Sequence, residues 1–275
     1  MTVAQAVKYT AELLAPFSDE AENEARIYVS HLADCEPSRL RFSSAEIGEK
    51  DLDDFAEKRR QGIPIQYIMG KWWFYKSEFL VGEGVLVPRQ DTEILVETGL
   101  ELIKNTEKPR VADLCSGSGC IAISVALDRP DAEVYALEKY PEAFSYLEKN
   151  IDMNRAENVK GVLADVTLPH SGEYDLILCN PPYIPLADKD ILSPEVLNEP
   201  HTALFGGEDG LDFYRIITNL WKNNLKSGGK LAFEVGIKEA EEVGEILRKE
   251  GFCEIGANCD LIGIQRVVFG TLKNV

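Results

Sequence analysis

From Arg110 onward, short apolar runs alternate with amphipathic stretches, and this alternation constrains the fold more than any other feature of the chain. Strand-like segments fall at 110–114, 133–138, 159–164, 174–179, 229–235, 252–256 and 265–270. Helix-like segments fall at 119–128, 141–154, 210–226 and 238–250. Short, nearly continuous apolar runs suit strands buried on both faces. Strands separated by helices predict an α/β fold, a mostly parallel, doubly wound sheet covered on both faces. In such sheets ligands bind outside the carboxyl ends of the strands.

The chain before this region reads differently. Residues 1–70 carry few glycines and helical spacing, with Ala4, Val7, Leu13 and Leu14 on one apolar face. A second helix is expected over Asp19–Leu32 behind a Ser18 cap, with Asp19, Glu20 and Glu22 favoured by the helix dipole in its first turn. A third is expected over 44–61, capped by Ser43 or Ser44. Residues 71–88 are rich in aromatic residues (Trp72, Trp73, Phe74, Tyr75, Phe79) and contain turn glycines, which predicts a linking β-hairpin. The expected domains are a helical partner-docking module at 1–70, the hairpin at 71–88 and the α/β domain at 89–275.

The formal net charge is −18. Long nucleic acids demand a basic footprint, because phosphate neutralisation supplies most of their non-specific affinity. The densest basic run, Lys58-Arg59-Arg60, follows several acids, so direct nucleic-acid binding is not expected. No apolar run reaches membrane-spanning length, and Met1-Thr2-Val3-Ala4-Gln5 lacks a secretory pattern. The six cysteines show neither C-x-x-C nor metal spacing, which fits reduced core residues in a cytoplasmic protein.

Two stretches carry chemistry. Asp113-Leu114-Cys115-Ser116-Gly117-Ser118-Gly119 runs from a strand into a helix, and its glycines allow close backbone approach to a ligand at a helix N-terminus. Glu138 ends the next strand, where a carboxylate accepts from the ribose hydroxyls of an adenosine. These features fit NAD and S-adenosyl-L-methionine equally. Asp165, with its neighbour Val166, ends the third strand, where an adenine amino group is met. Asp113 either tethers the loop or contacts a cofactor ammonium. The fourth strand ends in Asn180-Pro181-Pro182-Tyr183. Two prolines fix φ and remove N–H donors, so carbonyls stay free to accept. With the Asn carbonyl and a flat Tyr ring they suit a planar –NH2 group. No dehydrogenase needs such a tetrapeptide, which favours the methyl donor.

The chain resembles the peptide-chain release factor glutamine methyltransferases over nearly its whole length. The matching stretches are Gly62-x-Pro64-x-Gln66-Tyr67-Ile68-x-Gly70, Gly84-Val85-Leu86-Val87-Pro88-Arg89-x-x-Thr92-Glu93, Asn180-Pro181-Pro182-Tyr183-Ile184-Pro185 and Glu199-Pro200 with Ala203-Leu204-Phe205-Gly206-Gly207. The late Gly228-Gly229 and Arg266-Val267-Val268 fit as well. The family loop often has glycine where this chain has Cys115, and proline where it has Gln90. A cysteine there implies a backbone angle that tolerates a Cβ.

The resemblance implies a Rossmann-like S-adenosylmethionine-dependent methyltransferase domain behind a small N-terminal helical domain. It implies methyl transfer to the side-chain nitrogen of the glutamine in the Gly-Gly-Gln motif of class 1 peptide chain release factors. Asn180, Pro181 and Tyr183 are then the catalytic set, with Asn180 Oδ1 and the Pro181 carbonyl accepting the amide hydrogens and Tyr183 against the amide plane. Pro182 joins them in binding substrate. The expected cofactor set is Asp113, Cys115, Ser116, Gly117, Ser118, Gly119, Glu138, Asp165, Val166 and Asn180. A monomer without a metal is expected. Two alternatives share parts of this pattern: an adenine-N6 methyltransferase acting on DNA or RNA, which requires a basic groove, and a cofactor-binding sensor without turnover. The isolated His31, His170 and His201 are not expected to act as catalysts.

Overall fold

A computed structural model describes residues 1–273, which divide into two compact units, one of residues 1–71 with Leu192–Asn198 and one of residues 72–191 with the described residues from 199 onward. The first unit is built on helices α1 (Val3–Leu14), α2 (Ala21–Leu32), α3 (Glu49–Arg60) and α4 (Ile65–Met69). Thr2 and Gln5 form a reciprocal capping box that starts α1, satisfying backbone donors that otherwise have no partner. Ser18 does not cap α2 directly: the helix begins at Ala21, and the Ser18 hydroxyl donates to Glu24 at 2.5 Å. Nor does α3 start at residue 44, because Gly48 occupies its N-cap and Ser43 instead accepts from the Ala45 amide.

Tyr28 stacks on Phe55 with centroids 3.8 Å apart at the centre of the helical core. Arg59 is buried beside them and survives there because every face of its guanidinium is occupied. It donates to Glu24 at 2.6 Å, to the Ile63 carbonyl at 2.7 Å and to Glu195. Glu195 comes from the short segment Leu192–Asn198, which belongs to this unit although it lies far along the chain.

A hairpin, β1 (Lys71–Phe74) and β2 (Ser77–Leu80), starts at the last residue of the first unit's opening segment and leads into the second, which continues through α5 (Glu93–Leu102). Then come β3 (Arg110–Leu114), α6 (Cys120–Asp128), β4 (Glu133–Glu138), α7 (Pro141–Asn154), β5 (Val159–Leu163) and β6 (Tyr174–Cys179). After the short helix α8 (Pro194–Leu197) of the first unit follow α9 (Asp212–Trp221), β7 (Leu225–Glu234), α10 (Ala240–Lys249), β8 (Phe252–Cys259) and β9 (Gln265–Leu272).

One seven-stranded sheet holds the order β5-β4-β3-β6-β7-β9-β8. The first five strands are parallel, and β9 runs antiparallel to both β7 and β8. The doubly wound α/β fold expected from the alternating pattern is thus present. Chain order reverses between β3 and β6, which makes that pair the switch point.

Separate apolar clusters fill the two faces. Helix α6 is apolar on nearly every side, as a helix buried against the sheet and its neighbours must be. On the other face Trp221 is 1% exposed and donates its indole N–H to the Val166 carbonyl at 2.8 Å. Truncating such a ring to alanine costs about 3–5 kcal/mol. Here it also removes the support behind a residue at the ligand edge.

Candidate active site

A cavity enclosing about 930 Å³, counted to its open mouth, lies at the carboxyl edge of the second unit. Strand register creates it. Leu114 pairs with Leu137 on one side and Cys179 on the other, so the glycine loop emerges between Glu138 and Asn180. Cys115, Ser116, Gly117, Ser118, Glu138, Asp165, Val166, Asn180 and Pro182 all line the space. Of the expected site residues, Asp113, Gly119, Pro181 and Tyr183 do not line it.

The loop is shaped by two glycines in the left-handed region, Gly117 (φ 54°) and Gly119 (φ 81°). A Cβ on Gly119 would stand 2.4 Å from the Leu147 side chain, so this position requires glycine for space as well as for angle. Cys115 also sits at positive φ, 58°. The expected angle suited to a Cβ is therefore wrong: a cysteine occupies a conformation that glycine adopts freely. Asn150 on α7 fixes the loop from behind. Its buried side chain donates to the carbonyls of Ser118 (2.9 Å) and Leu80 (3.0 Å) and accepts from the Leu80 amide (2.7 Å).

Glu138 is 6% exposed. One oxygen accepts from the Gly117 amide at 2.9 Å, and the other accepts from the amides of Lys139 and Tyr140 at 2.8 Å. Three backbone donors thus fix the orientation of this carboxyl group at the cavity wall. Asp165 accepts from the Thr167 amide and hydroxyl and pairs with Lys139 at 2.8 Å. Burial pushes its carboxyl up, and the lysine and threonine outweigh this to leave it below the ordinary value.

Asp113 is fully buried beneath the loop, where it accepts from the Ala122 amide at the start of α6. Burial raises its carboxyl to about 7, and its Oδ1 has no hydrogen-bond partner among the described residues. Of the two roles expected for it, the loop tether is the one these contacts make.

The tetrapeptide divides its side chains. Asn180 faces the cavity, with its Nδ2 donating to Thr92 Oγ1 at 3.3 Å. Tyr183 packs against the apolar cluster beside β7 and donates its phenol to Glu234 Oε1 at 3.4 Å. The ring therefore braces the loop rather than walling the cavity. Behind it Tyr214 donates to the Glu234 carbonyl at 2.9 Å.

Sequence reasoning missed four residues here. Arg89 and Thr92 line the cavity. Glu199, 3% exposed, pairs with Arg89 and accepts from the Val87 amide at 2.9 Å, which holds that wall in place. Glu234 is also 3% exposed. It ends an apolar strand, the same signal that marked Glu138. The others are legible only as parts of longer motifs. His170 stacks on Trp221 and His201 lies edge-on to Phe205, and neither lines the cavity. No cluster able to hold a metal ion occurs among the described residues.

The donor set suits an adenosine with a charged tail. Glu138 offers acceptors for vicinal hydroxyls, Asp165 one for an amino group, and Leu137, Ala164 and Val166 supply apolar walls.

A seven-stranded sheet of this order, with a glycine loop, Glu138 and Asn180 around one cavity, defines an S-adenosylmethionine-dependent methyltransferase. A family model described as Methyltransferase small domain matches residues 90–205, and one described as PrmC N-terminal domain matches residues 5–70. The fold is similar to the hMettl16 catalytic domain solved in complex with MAT2A 3'UTR hairpin 6 (TM-score 0.57, 17% identity, 71% of this chain and 76% of that one). Curated relatives are more informative. The release factor glutamine methyltransferase of Clostridium acetobutylicum is 41% identical over 81% of this chain and 81% of its own. That of Aquifex aeolicus is 36% identical over 94% and 93%, and that of Bacillus cereus 34% over 99% and 100%. The chain belongs to the release factor glutamine methyltransferase family.

Proposed function

We propose that this enzyme methylates the side-chain amide nitrogen of the glutamine in the Gly-Gly-Gln motif of class 1 peptide chain release factors. The observation that carries the reading is Asn180, which shares one cavity with the glycine loop, Glu138 and Asp165. Its amide nitrogen is taken by Thr92, so its Oδ1 is the atom left to accept from a substrate –NH2.

When bound, S-adenosylmethionine supplies an activated methyl group. The amide nitrogen is a poor nucleophile, because its lone pair is delocalised into the carbonyl. The chain's contribution is alignment, which in favourable cases lowers a barrier by about 7–11 kcal/mol. Asn180 Oδ1 and the Pro181 carbonyl accept the two amide hydrogens and favour positive charge building on nitrogen. Pro182 closes the acceptor side, and Tyr183 braces the loop through Glu234. Cys115, Ser116, Gly117, Ser118, Glu138, Asp165 and Val166 hold the cofactor, with Asp113 and Gly119 shaping the loop from beneath. A buried acceptor pair discriminates strongly against side chains lacking –NH2.

The acidic surface and the helical unit at residues 1–70 suit docking of a protein rather than a duplex. No helix among the described residues is long and apolar enough to cross a membrane, and we place the activity in the cytoplasm as a monomer.

Transfer of labelled methyl from S-adenosylmethionine to unmethylated release factor tests the reading. Label is expected on the wild-type factor and not on a Gln→Ala variant of its Gly-Gly-Gln motif or on bulk DNA. Label on DNA, or none on the factor, overturns it.

A further inference from the structure

Asn180 and Tyr183 both lead to Glu234. The carboxyl lies at the end of β7, 3% exposed, with Oε1 accepting from Tyr183 at 3.4 Å and Oε2 lacking any hydrogen-bond partner among the described residues. On the other side stands Thr92, 2% exposed, whose hydroxyl favours the ionised form of Glu234. Thr92 Oγ1 accepts from Asn180 Nδ2 at 3.3 Å. Its own hydrogen is thus left to donate, and no other acceptor is bonded to it among the described residues. Glu234 Oε2 is likewise open, and the pairing of Cys179 with Phe233 sets Asn180 and Glu234, each the next residue, at the same sheet edge.

We infer that Glu234 is a positioning residue for methyl transfer, whose buried carboxylate fixes the polarity of the Glu234–Thr92–Asn180 chain so that Asn180 presents Oδ1 to the cavity. The inference rests on the reading of Asn180 as acceptor for the substrate amide. A hydroxyl both donates and accepts, so it takes its direction from its neighbours. An ionised carboxylate only accepts. It therefore takes the Thr92 hydrogen, turns the Thr92 lone pairs to the Asn180 –NH2 group, and leaves Oδ1 outward. A protonated carboxyl is itself a donor and removes that constraint. The second arm, through Tyr183, holds the other end of the tetrapeptide on the same group.

Other groups face Glu234. Asp91 before α5 raises its carboxyl, and Arg266 on β9 and Tyr183 lower it. Tyr214 on α9, Cys179 on β6 and Cys120 on α6 also feel its charge. Burial, the largest influence, brings it to about 7.

The experiment compares wild type with Glu234→Gln, Thr92→Val and Thr92→Ser. The readouts are kcat and KM for release factor from pH 5.5 to 8.5, cofactor affinity, and the Asn180 side-chain amide NMR signals of the cofactor-free protein. Wild-type kcat is expected to fall as pH drops through about 7. Glu234→Gln should lose that limb and about 100-fold in kcat, the scale of a ~1 Å misplacement, with cofactor affinity kept. Thr92→Val should reproduce the loss and Thr92→Ser should restore activity. The Asn180 amide signals should move with pH in wild type and stop moving in Glu234→Gln. Wild-type kcat with the acid limb intact in Glu234→Gln overturns the inference. So do pH-independent Asn180 signals in wild type. Because those signals need no turnover, they decide the inference even where the wild-type enzyme leaves release factor unlabelled, an outcome that would count against the substrate reading.

Discussion

The side chain of Asn150 donates to the Ser118 carbonyl at 2.9 Å while accepting from the Leu80 amide at 2.7 Å. One buried amide on α7 thereby joins the hairpin to the cofactor loop. Asn150→Ala strands buried partners on both, each worth about 1–3 kcal/mol. A loss of roughly 3 kcal/mol in urea denaturation is expected, with weaker cofactor binding by calorimetry. Unchanged binding in the folded variant would show that Ser118 needs no support.

We propose that Glu138, which lines the cavity at the end of β4, makes the expected ribose contact. Glu138→Ala removes a charged acceptor, and hydrogen bonds to charged groups contribute about 1.5–3 kcal/mol, or ~10–100-fold in affinity. Titration calorimetry with S-adenosylmethionine should find that loss. Wild-type affinity would assign the ribose to another residue.

Asn180→Ala separates binding from turnover. Removing one preorganised acceptor should lower kcat by about 10²–10³ while cofactor affinity changes little, because the glycine loop and Glu138 remain. Loss of cofactor binding on the same scale as turnover would make Asn180 a cofactor residue only.

Cys115 adopts φ 58°, where a Cβ costs roughly 1–2 kcal/mol and a β-branched residue costs more. Cys115→Gly should leave stability level or slightly raised, since relieved strain opposes the added freedom of the unfolded chain. Cys115→Val should lower it by about 1–2 kcal/mol. Thermal melts that rank valine above glycine would contradict the backbone geometry.

Asp113 gives stability a pH dependence of known sign. Its carboxyl is raised from 3.8 to about 7, so between those values the folded protein holds a proton that the unfolded chain has released. Stability from this group is full below about 4 and is lost as pH rises toward 7. Asp113→Asn does not titrate. Measured without cofactor, the variant should gain on wild type between pH 4 and pH 8. An equal difference at both ends would mean that Asp113 is ionised throughout.

Much of this was legible because burial leaves a mark on composition. The central parallel strands β3, β4 and β6 are largely buried and read as nearly continuous apolar runs, so 110–114, 133–138 and 174–179 match observed strands to the residue. Acids at or just past strand ends stood out against those runs: Glu138 closes β4, and Asp165 lies two residues beyond β5, not at its end as the sequence pattern suggested. Glu234 gave the same signal and went unused, because no ligand group had been assigned to the end of β7. Helix starts in the first unit were less legible. Ser18 and Ser43 make capping-like bonds, but to neighbouring turns rather than to the helices beginning at Ala21 and Glu49.

The sequence by itself determined the strand and helix pattern, the switch-point edge, the glycine loop and the rigid tetrapeptide, because these depend on local periodicity and on residues that fix φ. Tertiary structure alone decided which of them meet. The pairing of Leu114 with both Leu137 and Cys179 brings Glu138 and Asn180 to one cavity, and the turn of Tyr183 toward Glu234 takes its ring off the cavity wall. Register and side-chain direction are set by packing between segments about 25–65 residues apart, and no local pattern records which partner a strand end will face.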